Sequence, residues 1–423
     1  MPVDTSVPVV VLGFHHGSLG IARSLGRLGV TVYGVASEPR APALASRYCR
    51  PVLWNLERTP GAETIRFLND LGNRIGRQAV LIPTTDATSL LVAEHSDNLA
   101  ARFLFPHVPA GVVGSFSDKR AVHDLAGRLG IPTPAAVFPQ SLDDVENFAR
   151  HAVFPIVLKG IDGARLQART GRKMVLVHSA RDLAEQYAKL EDPTAPNLML
   201  QEYIPGSDAS VWMFNGYFDH ASRCVAGFTG RKLRQHPVDA GATSLGICQR
   251  NETVEAMTTA FMRAVGYRGI VDIDYRYDQR DGSYKLLDPN PRIGCTFRLF
   301  VDANGMDVVR FLYLDMTGQP LSAAVPCEGR KWIEESGDIE SSLDRVGAGH
   351  LSVRAWIQSL RGIDEAAWFA RDDLTPFFRM LWQLARRALR RIGRGVSTAG
   401  GRLMLGSRRA GFRLPAHEQP SIR

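Results

Sequence analysis

Gly269-Ile-Val-Asp272-Ile-Asp274-Tyr-Arg-Tyr-Asp278-Gln-Arg-Asp-Gly282-Ser-Tyr-Lys-Leu-Leu-Asp288-Pro-Asn290-Pro-Arg292 is the stretch that decides the fold. Two strand-like runs flank an Asp-Gly turn, which reads as a β-hairpin. Side chains alternate along a strand, so Asp272 and Asp274 share one face of the first strand. Asp288 and Asn290 share one face at the end of the second. Carboxylates and an asparagine carbonyl converging across a hairpin form a hard, all-oxygen donor set, suited to Mg²⁺ carrying nucleotide phosphates. The plain alternative is a solvated hairpin with a polar outer face. Asp-x-Asn alone is weak, but its setting in Leu-Leu-Asp-Pro-Asn-Pro-Arg favours the metal reading.

Upstream residues fit the same chemistry. Phe154-Pro-Ile-Val-Leu-Lys159 is an apolar strand ending in a cation, and Ser117-Asp-Lys119 opens a helix that Gly130-Ile-Pro-Thr-Pro134 closes. The four negative charges of ATP need opposing charge wherever they leave water. Asn197-Leu-Met-Leu-Gln-Glu-Tyr-Ile-Pro-Gly206 is a strand running into a turn, and 160–172 reads as a polar, glycine-containing loop. Nearer the N-terminus, the β-branched run 7–12, the glycine turn 13–20, a helical pattern to Gly29 and the run 30–35 make a βαβ unit. Further alternation at 80–86 and 103–105 predicts a doubly wound parallel-sheet domain over the first 115 residues.

In this order the residues resemble the ATP-grasp superfamily over roughly 5–320. The resemblance implies an α/β protein: an ATP-grasp fold preceded by the doubly wound domain, with a C-terminal helical extension. The expected divisions are 1–115, 116–205 and 206–329 (the two ATP-grasp subdomains, the second with the metal hairpin), 330–376 (helical extension) and 377–423 (basic amphipathic tail). Lys119 and Lys159 match the family's two nucleotide lysines. Gln201, Glu202, Tyr203 and Ile204 match its adenine hinge, and Asp208 the acid that takes the ribose hydroxyls. Asp274, Asp288 and Asn290 match the metal ligands, with Asp272 as second choice for the first. Arg292 matches the phosphate-contacting arginine, and Lys232, in Phe228-Thr-Gly-Arg-Lys-Leu-Arg234, the triphosphate cation of amide-forming members. Two departures stand out: Asp288 replaces the usual Glu, and the phosphate-covering loop carries Arg165 and Arg169 where the family is Gly/Ser-rich. The chain most resembles the carbamoyl-phosphate-synthase-like and D-aspartate-ligase-like branch. That implies an ATP-dependent ligase with Mg²⁺ (two ions, Mn²⁺ as a substitute) joining a small carboxylate to an amine through an acyl phosphate, with Arg292 and Lys232 at the chemistry.

Two other classes are open. Gly13-x-x-x-Gly17-x-x-Gly20 with Glu38 could serve a nicotinamide-dependent oxidoreductase, although the spacing is not G-x-G-x-x-G. A non-catalytic nucleotide-binding adaptor is the other. In the ligase reading, the turn holding His15 and His16 meets a substrate carboxylate at a helix start. Substrate-side residues are then expected on 13–20, 84–86 and 294–298, and no cysteine or serine nucleophile is required.

The chain has 423 residues, 45% hydrophobic and 22% charged, which excludes collagen-like and disordered classes. No run approaches the roughly 18 apolar residues of a membrane span, and no leader is read at the start. Five scattered cysteines without a C-x-x-C pair suggest neither zinc nor a disulfide framework, so a reducing cytoplasm is the expected setting. The net charge of +8 sits in the tail, where ten arginines and no acid lie between Phe377 and Arg413. The rest is near neutral, at about −2. Arg379, Arg386, Arg387, Arg390, Arg391 and Arg394 alternate with Phe377, Leu381, Leu384, Ala388 and Ile392, the pattern of an amphipathic helix. The tail could dock on the body, lie at an anionic inner membrane surface or meet a partner protein. Nucleic acid is not expected, since no aromatic platform or binding module accompanies the arginines. A homo-oligomer is compatible with the composition.

Overall fold

The computed structural model describes residues 3–172, 174–238 and 241–387. Strands Val9–Leu12 (β1), Val32–Ala36 (β2), Arg50–Leu53 (β3), Ala79–Pro83 (β4) and Phe103–Leu104 (β5) form a parallel sheet in the order β3-β2-β1-β4-β5. Every residue of β1 is fully buried, which is why this strand is an unbroken apolar run rather than an alternating one. Helix His16–Gly26 follows β1 and helix Asp86–Glu94 follows β4, capped by the side chains of His15 and Thr85. Strand order reverses between β1 and β4, so the crevice beyond their carboxyl ends is the place where such sheets bind ligands.

A second sheet is antiparallel, in the order β6-β9-β7-β8, built from Ala136–Val137 (β6), Ile156–Gly160 (β7), Met174–Val177 (β8) and Leu198–Glu202 (β9). Helices Leu142–Ala149 and Ala180–Leu190 bury Val145, Leu183 and Tyr187 against Ile156, Leu158, Leu198 and Leu200. The stretch after β7 is not the expected loop, because Gly163–Thr170 is helical. The Asp162 carboxylate accepts the Arg165 N–H at 3.0 Å as an N-cap, Leu166 is buried, and the residues between are strong helix formers. Arg165 donates to Asp192 at 2.7 Å and to the Ala195 carbonyl, so its guanidinium ties this helix to the turn before β9.

The third sheet runs β14-β13-β10-β11-β12-β15-β16, from Val211–Phe218 (β10), Cys224–His236 (β11), Ala242–Cys248 (β12), Gly269–Asp278 (β13), Ser283–Asn290 (β14), Lys331–Ile333 (β15) and Glu365–Ala366 (β16). The last two strands belong to the segment expected to be wholly helical. That segment does carry helices Glu335–Gly347 and Val353–Ser359, but β15 and β16 also lengthen the sheet. Arg234 on β11 binds Asp338 through two nitrogens at 2.7 and 3.0 Å, with both side chains buried, which fixes helix Glu335–Gly347 to the sheet. Arg23 of the first helix reaches Asp373 (3.0 Å) and the carbonyls of Ala367 and Trp368 (3.0 and 2.7 Å).

Residues 375–387 are helical, with the Arg386 guanidinium 4.4 Å from the Trp382 ring centre. The remaining tail residues of the amphipathic reading, from Ala388 and Arg390 onward, lie outside the described residues. Among the described residues no helix is long and apolar enough to cross a membrane.

Candidate active site

The hairpin forms in the expected register. Asp272 pairs with Asn290 and Asp274 with Asp288, followed by a bulge at Tyr275. Like charges directly opposite on two strands repel, and lysines answer both here. Lys119, at the first position of a helix capped by Asp118, places Nζ 3.3 Å from Asp288 Oδ1. Lys232 on β11 is buried and donates to Asp274 Oδ2 at 2.7 Å and to the Gly241 carbonyl at 3.2 Å. Lys159 ends the apolar run of β7 with its side chain buried. Burial, and then repulsion from Lys119, lower its ammonium to about 8, against attraction from Asp288. Packing pushes the Asp288 carboxyl up, but Lys119 and Lys159 more than offset this and hold it below the usual carboxylate range.

Arg292 leaves the hairpin toward the parallel sheet. Its Nε donates to Asp86 Oδ1 and its Nη2 to Asn290 Oδ1, both at 2.9 Å, and Nη1 donates to the Ile293 carbonyl at 3.1 Å. Asp86 begins the helix after β4, so Arg292 joins the hairpin to the crevice of the doubly wound domain. Asp272 is walled in. Asn215 Nδ2 faces it at 3.4 Å, and a Cβ on Gly294 would stand 2.3 Å from its Cγ, so only glycine fits there. Burial, then the charge of Asp274, push the Asp272 carboxyl up.

The expected adenine hinge runs along the end of β9. Gln201 is buried between Ala136 and Val157, and the ladder ends at Glu202. The backbone of Tyr203 and Ile204 follows as coil. The Glu202 carboxylate meets Arg280 and Lys285 of the hairpin, and the Arg276 guanidinium lies over the Tyr203 ring at 5.7 Å. The hinge thus docks on the turn half of the hairpin that carries the acids at its other end. Asp208 is buried and held by Arg345 at 2.5 Å and by Gln235 at 3.1 Å. Arg345 comes from helix Glu335–Gly347, so the C-terminal extension reaches the expected ribose acid.

Among the described residues no three His, Cys, Asp or Glu side chains converge as a ready metal centre. The donor set fits a cation that arrives with its nucleotide. Mg²⁺ is commonly held by one or two carboxylates plus phosphate oxygens, and Asp274, Asp288 and Asn290 offer two carboxylates and an amide oxygen. The two carboxylates are meanwhile compensated by Lys119 and Lys232.

Residues from three distant segments meet at the crevice. His15 Nδ1 accepts the Gly17 N–H at 3.1 Å and lies 3.7 Å from Cys295 Sγ. A Cβ on Gly17 would stand 2.9 Å from Cys295 Cα, and one on Gly20 3.0 Å from Phe297 and Arg298. The glycine turn is therefore packed against 295–298 and leaves no approach for a dinucleotide pyrophosphate at these two glycines. Arg298, expected on the substrate side, is consumed by Glu365 and Asp307. Cys295 was not singled out as a nucleophile from sequence. Its only signal was its place in 294–298, with two histidines in the facing turn.

No family model matches the chain. D-aspartate ligase of Enterococcus faecium is 24% identical over 327 residues, covering 72% of this chain and 76% of that one. The large chain of carbamoyl phosphate synthase of Thermus thermophilus is 25% identical over 247 residues, covering 55% of this chain and 22% of that one. Among solved structures, N5-carboxyaminoimidazole synthetase of Staphylococcus aureus with ADP superposes with a TM-score of 0.59 at 12% identity, covering 78% and 82% of the two chains. With the hairpin and the collinear lysines, these likenesses show an ATP-grasp fold and make the chain similar to carboxylate–amine ligases of that superfamily.

Proposed function

We propose that this enzyme joins a small carboxylate to an amine at the expense of ATP, through an acyl phosphate, releasing ADP and phosphate. The observation that carries the reading is the meeting of Asp274, Asp288 and Asn290 with Lys119, Lys159, Lys232 and Arg292 at one end of one hairpin. A free carboxylate resists attack by an amine because its leaving group would be oxide. Transfer of the γ-phosphoryl group to a carboxylate oxygen supplies a good leaving group. Mg²⁺ bound with the phosphates would be held by Asp274, Asp288 and Asn290 and would neutralise charge building on the phosphoryl oxygens. Lys119 and Lys232 then turn from the carboxylates to phosphate oxygens, and Lys159 gains counter-charge beyond that of Asp288. Arg292 lies between the hairpin and the crevice, where it can hold the substrate carboxylate against Asn290 and stabilise the oxyanion when the amine attacks.

The nucleotide lies between the hinge 201–204 and the hairpin, with Asp208 toward the ribose. Two ions, with Mn²⁺ as a substitute, suit a triphosphate spanning Asp274, Asp288 and Asn290. The names of the relatives make an amino acid the first candidate for one substrate. The test is ADP formation with Mg²⁺ and pooled amino acids and small carboxylates. Formation that depends on both a carboxylate and an amine, lost in Asp288→Ala and Asn290→Ala, is the expected result. Carboxylate-independent ADP formation that survives both substitutions removes the site. We also assign the arginine-rich tail to contact with an anionic membrane surface or a partner protein, on its sequence pattern.

A further inference from the structure

An apolar cavity lies at the seam between the parallel sheet and the hairpin. Leu81 of β4, Val92 of helix Asp86–Glu94, Phe105, Val113, Ile293 and Leu312 line it, and all of them are buried. It reaches the crevice, since Pro83, at the carboxyl end of β4, and Arg292 also belong to its wall. Its volume is about 70 Å³. A cavity of about 150 Å³ holds a benzene ring, so roughly three or four carbon atoms fit here. Apolar walls with a few placed polar groups are the usual make-up of a small-molecule site.

The polar groups of the wall are not all spent on the fold. Ser89 Oγ lines the cavity, is buried and has no hydrogen-bond partner. A hydroxyl left this way carries an uncompensated desolvation cost. Ser89 stands three residues beyond Asp86 on one helix, so the two share a face. Asp86 is the ion-pair partner of Arg292, which puts the orphan hydroxyl on the Arg292 side of the cavity. Arg292 uses three of its five N–H donors, on Asp86, Asn290 and the Ile293 carbonyl, and keeps the others for a ligand. Arg292 and the exposed Arg268 are the charged groups of the wall, which holds no acid, lysine or histidine among the described residues. Such a wall favours an anion with a hydrocarbon body and disfavours an ammonium.

We propose that this cavity is the side-chain subsite of the carboxylate substrate, so that the enzyme selects a carboxylate with a compact, branched body of about three or four carbons. This deepens the ligase reading and rests on it for the placement of the carboxylate on Arg292. The free N–H donors of Arg292 and the Ser89 hydroxyl hold the carboxylate oxygens, and the body fills the space between β4, helix Asp86–Glu94 and Leu312. A shorter acid leaves apolar wall unfilled, and a long chain or an aromatic ring overfills it. A free branched acid and a branched-chain α-amino acid present the same body. In the amino acid, the ammonium stays outside the cavity, away from the two guanidiniums.

Ligand-observed NMR titration of the full chain, without nucleotide, tests the cavity apart from turnover. Isovalerate against acetate reports a free acid, and L-leucine against glycine an amino acid. In at least one pair the branched member should bind roughly fiftyfold tighter, from the extra carbons taken out of water. Val113→Phe and Ala93→Leu narrow the cavity and should remove that preference while MgADP binding stays as in the wild type; Ala93 is half-buried and tolerates the change even where Val113→Phe fails to fold. Ser89→Ala should weaken the branched ligand about tenfold. No preference in either pair, or a preference that the narrowed, MgADP-binding variants keep, overturns the proposal. Tight binding without ADP formation from any acid and amine sinks the ligase reading and leaves the carboxylate site. ADP formation as fast with acetate or glycine as with the branched acids sinks the subsite and leaves the ligase.

Discussion

Replacing Lys159 by Met should make the nucleotide-free protein more stable while abolishing its response to ATP. The ammonium sits at the end of β7 with its side chain buried and Lys119 nearby. Its fall from 10.5 to about 8 is worth about 3 kcal/mol of native-state penalty at neutral pH. A group whose folded value is depressed in this way binds its proton less tightly in the native than in the unfolded chain. The penalty is complete below about pH 8 and fades as pH rises toward 10.5, the unfolded value. Methionine has a similar length and no charge, so Lys159→Met should recover most of that energy, less the lost attraction to Asp288. Urea unfolding at pH 7 should show a gain of roughly 1–3 kcal/mol, shrinking when repeated near pH 10. With MgATP at about a hundred times its dissociation constant, the wild type should gain about 2.7 kcal/mol and the variant almost nothing. A variant less stable than the wild type at pH 7, or one still stabilised by MgATP, would refute the view that Lys159 is a strained cation kept for phosphate.

Further outcomes follow from other groups. Asp288→Ala and Asn290→Ala should each lower turnover by about a hundredfold or more in a coupled ADP assay, with thermal stability changed far less. Arg23→Ala should cost about 3–5 kcal/mol in urea unfolding, because it leaves Asp373 buried without its partner; a loss below about 1 kcal/mol would show that the 367–373 segment is not tied down by this pair. The full chain should sediment with anionic vesicles at low salt and be released by high salt, whereas a chain ending at Thr375 should not bind. Equal binding by both would remove the tail from that role.

The hairpin was legible because alternation is a rigid rule. Once Asp272 and Asn290 are opposite, Asp274 and Asp288 must be too, and the observed register is that one. Lys119 and Lys159 were legible from their places at a helix start and a strand end. Helix Gly163–Thr170 was not, because its polar face and flanking glycines resemble a loop and one buried leucine is a faint signal. Strands β15 and β16, three and two residues long, exist only because β12 offers a free edge, which no local propensity reports. The pairing of Arg345 with Asp208 spans 137 positions and that of Cys295 with His15 spans 280. Such contacts are set by how sheets and helices stack, which one sequence records only as unrelated polar residues.

The most direct test of acyl activation follows the oxygen. Amino acids and small carboxylates labelled with ¹⁸O in their carboxyl groups, pooled and incubated with the enzyme, MgATP and amines, should release phosphate carrying one ¹⁸O per amide formed, with ADP as the other product. Unlabelled phosphate alongside amide, or AMP and pyrophosphate in place of ADP and phosphate, would contradict phosphorylation of the carboxylate at this hairpin.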